Sequence, residues 1–124
     1  MVQHIISMAR GILVVDENLD KIHRELEKHN IRVLRIKPGT DDDYIKEHSL
    51  PGRIFVTNNT KDFLDGAAEF EYGIISTEGV KLKDPELLAK KISDEIIKNN
   101  LWSKLKGFVL YLKDDGRSVF KELK

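Results

Sequence analysis

The chain has 124 residues, the size of one ordinary domain, and its 40% apolar and 7% aromatic content can bury a core without metal or disulfide staples. Twenty-one basic residues balance twenty-one acidic ones, so no overall positive field announces a nucleic-acid partner, while a local basic face stays compatible with neutrality. The absence of cysteine excludes disulfides, thiolate catalysis and sulfur-built zinc sites. No apolar run approaches the roughly 18 residues that cross a bilayer, so the expectation is a soluble cytoplasmic protein without membrane contact.

Met1 to Arg10 lacks the charged start and long apolar middle of a signal peptide; whether it forms an element of its own stays open. Ile12-Leu13-Val14-Val15 is continuously apolar and mostly β-branched, which reads as a strand covered on both faces. Asn18 can cap the helix that follows, with Leu19, Ile22, His23 and Leu26 at helical spacing and a stop at His29-Asn30. Ile31 to Ile36 restores strand character until Pro38-Gly39 breaks it. Thr40 or Asp41 can cap a short helix from Asp42 to Ser49, resting on Tyr44, Ile45 and Leu50.

After Pro51-Gly52, Arg53 to Thr57 reads as the third strand, and Thr60 can cap a brief helix running through Phe63 and Leu64 to the Gly66 break. Tyr72 to Ser76 is the fourth strand. Alternation of this kind predicts a parallel sheet with right-handed crossovers. Asp84-Pro85 opens the longest helix, whose apolar stripe is Leu87, Leu88, Ile92, Ile96 and Ile97, ending near Asn99-Asn100. In the tail, Lys106 to Leu112 and Arg117 to Leu123 flank Lys113-Asp114-Asp115-Gly116, a hairpin signal that adds an antiparallel pair to the sheet.

Three polar clusters fall at or beside the predicted carboxyl ends of these strands: Asp16-Glu17-Asn18, Asp41-Asp42-Asp43, and Asn58, Asn59 and Asp62. Singly, each has an ordinary role, because acidic residues favour helix starts and amides favour turns. Together they gather acids in the crevice where open α/β sheets bind ligands. Like charges brought close require a cation, and magnesium or manganese completed by water and substrate phosphate suits such oxygens.

Val14-Val15-Asp16-Glu17-Asn18-Leu19, Thr40-Asp41-Asp42-Asp43-Tyr44-Ile45 and Ile54-Phe55-Val56-Thr57-Asn58-Asn59-Thr60-Lys61-Asp62-Phe63 resemble, in order, the motifs of the PIN-like nucleases. The resemblance covers roughly residues 12–76 and is closest to the short PIN-like proteins grouped as predicted nucleases and toxins of toxin-antitoxin modules. It implies a three-layer α/β domain with a central mostly parallel sheet and a core of about 11–101, in a chain expected to be a single domain over 1–124; the C-terminal β-hairpin at 105–123 falls outside the core resemblance. It also implies hydrolysis of phosphodiester bonds, commonly in RNA, with Mg2+ or Mn2+. Asp16 carries over as principal metal ligand, Asp42 as the second acid with Asp43 as the competing choice, and Asp62 as the third; Asn59 would orient a ligand or a water. Two departures stand out: the usual central helix carrying a further acid is shortened or absent, and asparagine occupies position 59 where many relatives have aspartate.

A response-regulator receiver shares the acidic end of the first strand, but it needs a phosphoacceptor aspartate after the third, where this chain has Thr57-Asn58-Asn59. His4, His23, His29 and His48 form no metal-binding spacing and read as surface or packing residues. Trp102 reads as an anchor beside the long helix or the hairpin. Lys37, Arg53, Lys61, Lys81 and Lys83 fall near strand ends, where most are ordinary solvated cations and some could approach a phosphate backbone. The expected partners are RNA, an antitoxin, and a second copy through the hairpin; the competing expectation is a PIN-like binding or assembly module without effective catalysis.

Overall fold

The computed structural model describes residues 11–81, 84–114 and 117–123, apart from the side chains of Asn18 and Asp20. The capping role expected of Asn18, the Asp115-Gly116 turn, Lys83 and His4 therefore lie outside what is described. The apolar tetrapeptide Ile12–Val15 forms β1, and Arg32–Arg35, Ile54–Thr57 and Gly73–Ser76 form β2, β3 and β4. Phe108–Leu112 and Ser118–Glu122 are β5 and β6. One six-stranded sheet results, in the order β2-β1-β3-β4-β5-β6. All neighbours are parallel except β5 and β6.

The tail forms the expected antiparallel pair, β5 with β6. β5 continues the parallel sheet beside β4, and only β6 reverses. Phe108, Val109, Leu110 and Leu112 are fully buried, so the first arm of the hairpin belongs to the core instead of lying outside it.

Side chains alternate across a strand, and the sheet has an apolar cluster on each face. On one face Leu13, Val15, Ile54, Val56 and Ile75 pack under Ile22, Leu26, Leu88, Ile92 and Ile96. On the other, Val14, Phe55, Ile74 and Val109 pack under Ile45, Leu50, Phe63 and Ala67. Each buried aliphatic or aromatic side chain contributes about 1.5–3 kcal/mol of transfer free energy.

The helices are shorter than their periodicity suggests. Glu17–Ile22 is a 3-10 turn leading into α1, His23–Glu27, and Asn30 in the left-handed region (φ 62°) ends the segment. α2 is the single turn Asp42–Tyr44 and widens into a π turn over Ile45–Ser49. A 3-10 turn at Thr60–Asp62 precedes α3, Leu64–Ala67. α4, Pro85–Asn99, is the only long helix described: the Asp84 side chain accepts from Glu86 N–H at 3.0 Å, Pro85 occupies the first turn, and Asn100 closes the end at φ 50°.

α1 and α4 cover one face, α2 and α3 the other. The chain moves from β1 to β2 with α1 on the first face, then back across β1 to β3 and on to β4 with α2 and α3 on the second. These three crossings share one hand. The crossing from β4 to β5 continues in the same direction but carries α4 on the first face, so its hand is opposite. Right-handed crossovers are near-universal, and this last one is the exception to the expectation. On this first face α4 shares with α1 the cluster that buries Val56 and Ile75.

Candidate functional site

The strand order reverses direction between β1 and β3, which in open α/β sheets marks where a crevice opens beyond the carboxyl ends. Register carries one polar row across this edge. Val15 pairs with Val56, so Asp16 stands beside Thr57; Thr57 pairs with Ser76, and Ser76 with Tyr111. By alternation all four face the side of α2 and α3. A carboxylate, two buried hydroxyls and a half-buried phenol thus line the top of four adjacent parallel strands.

Local bonds fix the acids of β1 and the β3 tip. Thr57 donates its hydroxyl to Asp16 Oδ2 at 2.6 Å and accepts Asn59 N–H at 2.9 Å. Asn59 in turn donates its amide to Asp62 Oδ2 at 2.8 Å, so Asp16 and Asp62 are held by one chain of contacts running through Thr57 and Asn59. The turn beneath is anchored by Tyr72, whose hydroxyl donates to the Phe63 carbonyl. Burial pushes that phenol well above its ordinary value of 10.0, with Asp65 adding to the effect. Further along, Thr60 donates to Ser76 Oγ at 2.6 Å, and Glu78 Oε1 accepts Thr60 N–H at 3.3 Å.

The acids of α2 divide their work. Asp41 caps the turn, accepting Asp43 N–H at 3.1 Å and Tyr44 N–H at 3.4 Å. Glu17 accepts Gly39 N–H at 3.2 Å, tying the loop ahead of α2 to the β1 tip. Asp42 has its pKa raised from 3.8, first by loss of hydration and then by the charges of Asp62, Asp41 and Asp16, against a lowering by Lys46. Asp43 acts instead on Lys46. Lys46 Nζ pairs with Asp65 at 2.9 Å and lies 5.8 Å from the Phe63 ring centre. Its ammonium is pushed up chiefly by the hydrogen bond to Asp65, with Asp43 and Asp42 adding to it.

Asp16, Asp42 and Asp62, which come from three separate elements, therefore lie near enough for their charges to be felt by Asp42. Among the described residues, however, no three histidine, aspartate or glutamate side chains close into a ready coordination shell. The two facts agree, because Coulomb repulsion acts over longer distances than ligation. Magnesium commonly uses one or two carboxylates, keeping waters and substrate oxygens for the rest, and these oxygen donors fit that manner of binding. His23 is the half-buried first residue of α1, and His48 lies against Tyr44 with ring centres 4.5 Å apart. Arg53 donates to the Ser49 carbonyl at 3.0 Å, within the scaffold.

Sequence reasoning missed Thr57, Thr60, Ser76, Glu78 and Lys46. Ser76-Thr77-Glu78 follows an apolar run just as Asp16-Glu17 does, which was a usable signal. Lys46 stands four residues after Asp42, on one side of a helix. No protein-family model, curated protein or solved structure matches the chain. No helix among the described residues is long and apolar enough to cross a membrane.

Proposed function

We propose that this crevice is the active site of a metal-dependent nuclease of PIN-like type acting on RNA, in the manner of a toxin held in check by an antitoxin. One observation carries the reading: the Asp42 carboxyl, its pKa raised first by loss of hydration, is raised further by the charges of Asp62 and Asp16 from two other elements. Convergence of like charge costs a fold stability, and a divalent cation relieves it.

Mg2+ or Mn2+ would be held by Asp16 with Asp42 and Asp62, supplying positive charge to a phosphate and acidifying a bound water. The chain's own residues do the rest. Thr57 orients Asp16 through its Oδ2, Asn59 orients Asp62, and Lys46 sets the charge of the α2 side through Asp42 and Asp43. Single-stranded RNA incubated with manganese is expected to be cleaved, and Asp16→Asn to abolish cleavage. Equal activity in the variant would overturn the assignment.

A second reading has its own support. Asn59 occupies an acid's place and spends its amide on Asp62, while Lys46 already offers a fixed positive charge to Asp42 and Asp43. Together they favour a PIN-like crevice retained as a binding module. Calorimetric titration with manganese separates the two, since only the nuclease reading requires binding that Asp16→Asn removes.

A further inference from the structure

The outward edge of β6 carries a pattern that the crevice does not use. Leu110 lies opposite Phe120 and Tyr111 opposite Val119. Beyond the strand ends, Leu123 N–H donates to Gly107 O at 3.0 Å and Lys113 N–H to Arg117 O at 3.1 Å. Bonded and non-bonded pairs alternate along an antiparallel ladder, so Val119, Lys121 and Leu123 direct their backbone groups to β5. Ser118, Phe120 and Glu122 direct theirs outward. β6 ends the sheet order, and no strand among the described residues takes up that outward row.

We propose that β6 is a homodimer interface, at which a second copy of this chain pairs its own β6 antiparallel about a twofold axis through Phe120. A twofold that sets two edges antiparallel stands perpendicular to the sheet and keeps each face continuous. Only registers centred on a residue satisfy it; overlap of the two strands favours the three central residues, and charge selects among those. Centring on Val119 sets Arg117 against the partner's Lys121, and centring on Lys121 sets that residue against its own copy; like charges directly opposite are destabilising. Centring on Phe120 places Ser118 against the partner's Glu122, Val119 against the partner's Lys121, and Phe120 against the partner's Phe120.

That register also suits the side chains. Phe120 faces the α4 side, stacked on Phe108 at 5.5 Å with Lys104 Nζ 5.0 Å above its ring, so aromatic stacking would run on across the axis. On the other face Val119 is 41% exposed and would be covered by the aliphatic stem of the partner's Lys121. The opposite edge is differently built: Arg32 and Lys37 lie on or just beyond β2, and cationic side chains on an edge strand discourage edge-to-edge pairing. The β6 contact is small and its dimer reversible.

Sedimentation velocity of the full chain, from micromolar to millimolar concentration, is expected to show a monomer–dimer equilibrium. Val119→Lys weakens it about tenfold or more by opposing two lysines on each side of the axis. Adding Lys121→Glu to that variant recovers the dimer, because opposite charges then meet. Glu122→Pro removes an outward N–H while leaving the β5 ladder intact, and abolishes the dimer with the circular dichroism spectrum unchanged. Three results would overturn the proposal: a wild-type chain that stays monomeric at millimolar concentration, a dimer indifferent to Val119→Lys and Glu122→Pro, or a failure of Lys121→Glu to restore association.

Discussion

Asp42 holds its proton more tightly in the folded chain than its ordinary value of 3.8 allows, because loss of hydration and then Asp62 oppose its ionisation. The consequence for stability has a definite sign. Below 3.8 the carboxyl is protonated both folded and unfolded and costs nothing; as pH rises past that value the unfolded chain ionises first, and stability is lost until the folded carboxyl has also ionised. Asp42→Asn is therefore expected to raise the melting temperature at neutral pH without divalent ions and to leave it unchanged below pH 3.8, as thermal denaturation at the two pH values would read. The place of Asp16 at the end of a buried strand was legible in the sequence, because the apolar run Ile12–Val15 stops there. Its partner Thr57 was not, since the bond between them spans 41 positions and needs the β1–β3 register to be seen.

At the level of elements, the close approach of β4 and β5 rests on Gly73. Register sets Gly73 opposite Phe108, and a Cβ built on the glycine would lie 2.1 Å from that ring. Gly73→Ala is expected to destabilise the protein by about 1–3 kcal/mol, read as a lower midpoint in urea, with partial recovery when Phe108→Leu is added. The strands were legible from their apolar runs to within a residue or two. The first helix was not: its spacing promised a continuous helix from Asn18, whereas Leu19 leaves helical geometry at ψ 25° and the α-helical part begins only at His23. Periodicity reports which side of a segment is buried, and a 3-10 turn followed by an α turn buries the same side.

For the whole molecule, binding of a divalent ion to the folded chain alone must stabilise it. At a hundredfold excess over the dissociation constant the gain is about 2.7 kcal/mol, so manganese is expected to raise the melting temperature by several degrees in the wild type and not in Asp16→Asn. With the ion present, Asp42→Asn should change from stabilising to destabilising, because the crowded carboxylates then hold a counter-charge. No shift in either chain would favour the binding-module reading. The α/β class and the parallel order followed from alternating strand and helix patterns. The hand of the last crossing could not, because no local spacing records which face α2 and α3 have already covered.

That reversed crossing bears on how the chain emerges from a ribosome. Leu13, Val15, Ile54 and Val56 share their buried cluster with Leu88, Ile92 and Ile96, and those three residues are synthesised after β4 is complete. A nascent chain ending at Ser76 holds all four leading strands and yet shows one greasy face to its surroundings, the kind of surface that chaperones grip. Only when α4 has left the exit tunnel can it and α1 shut that face together.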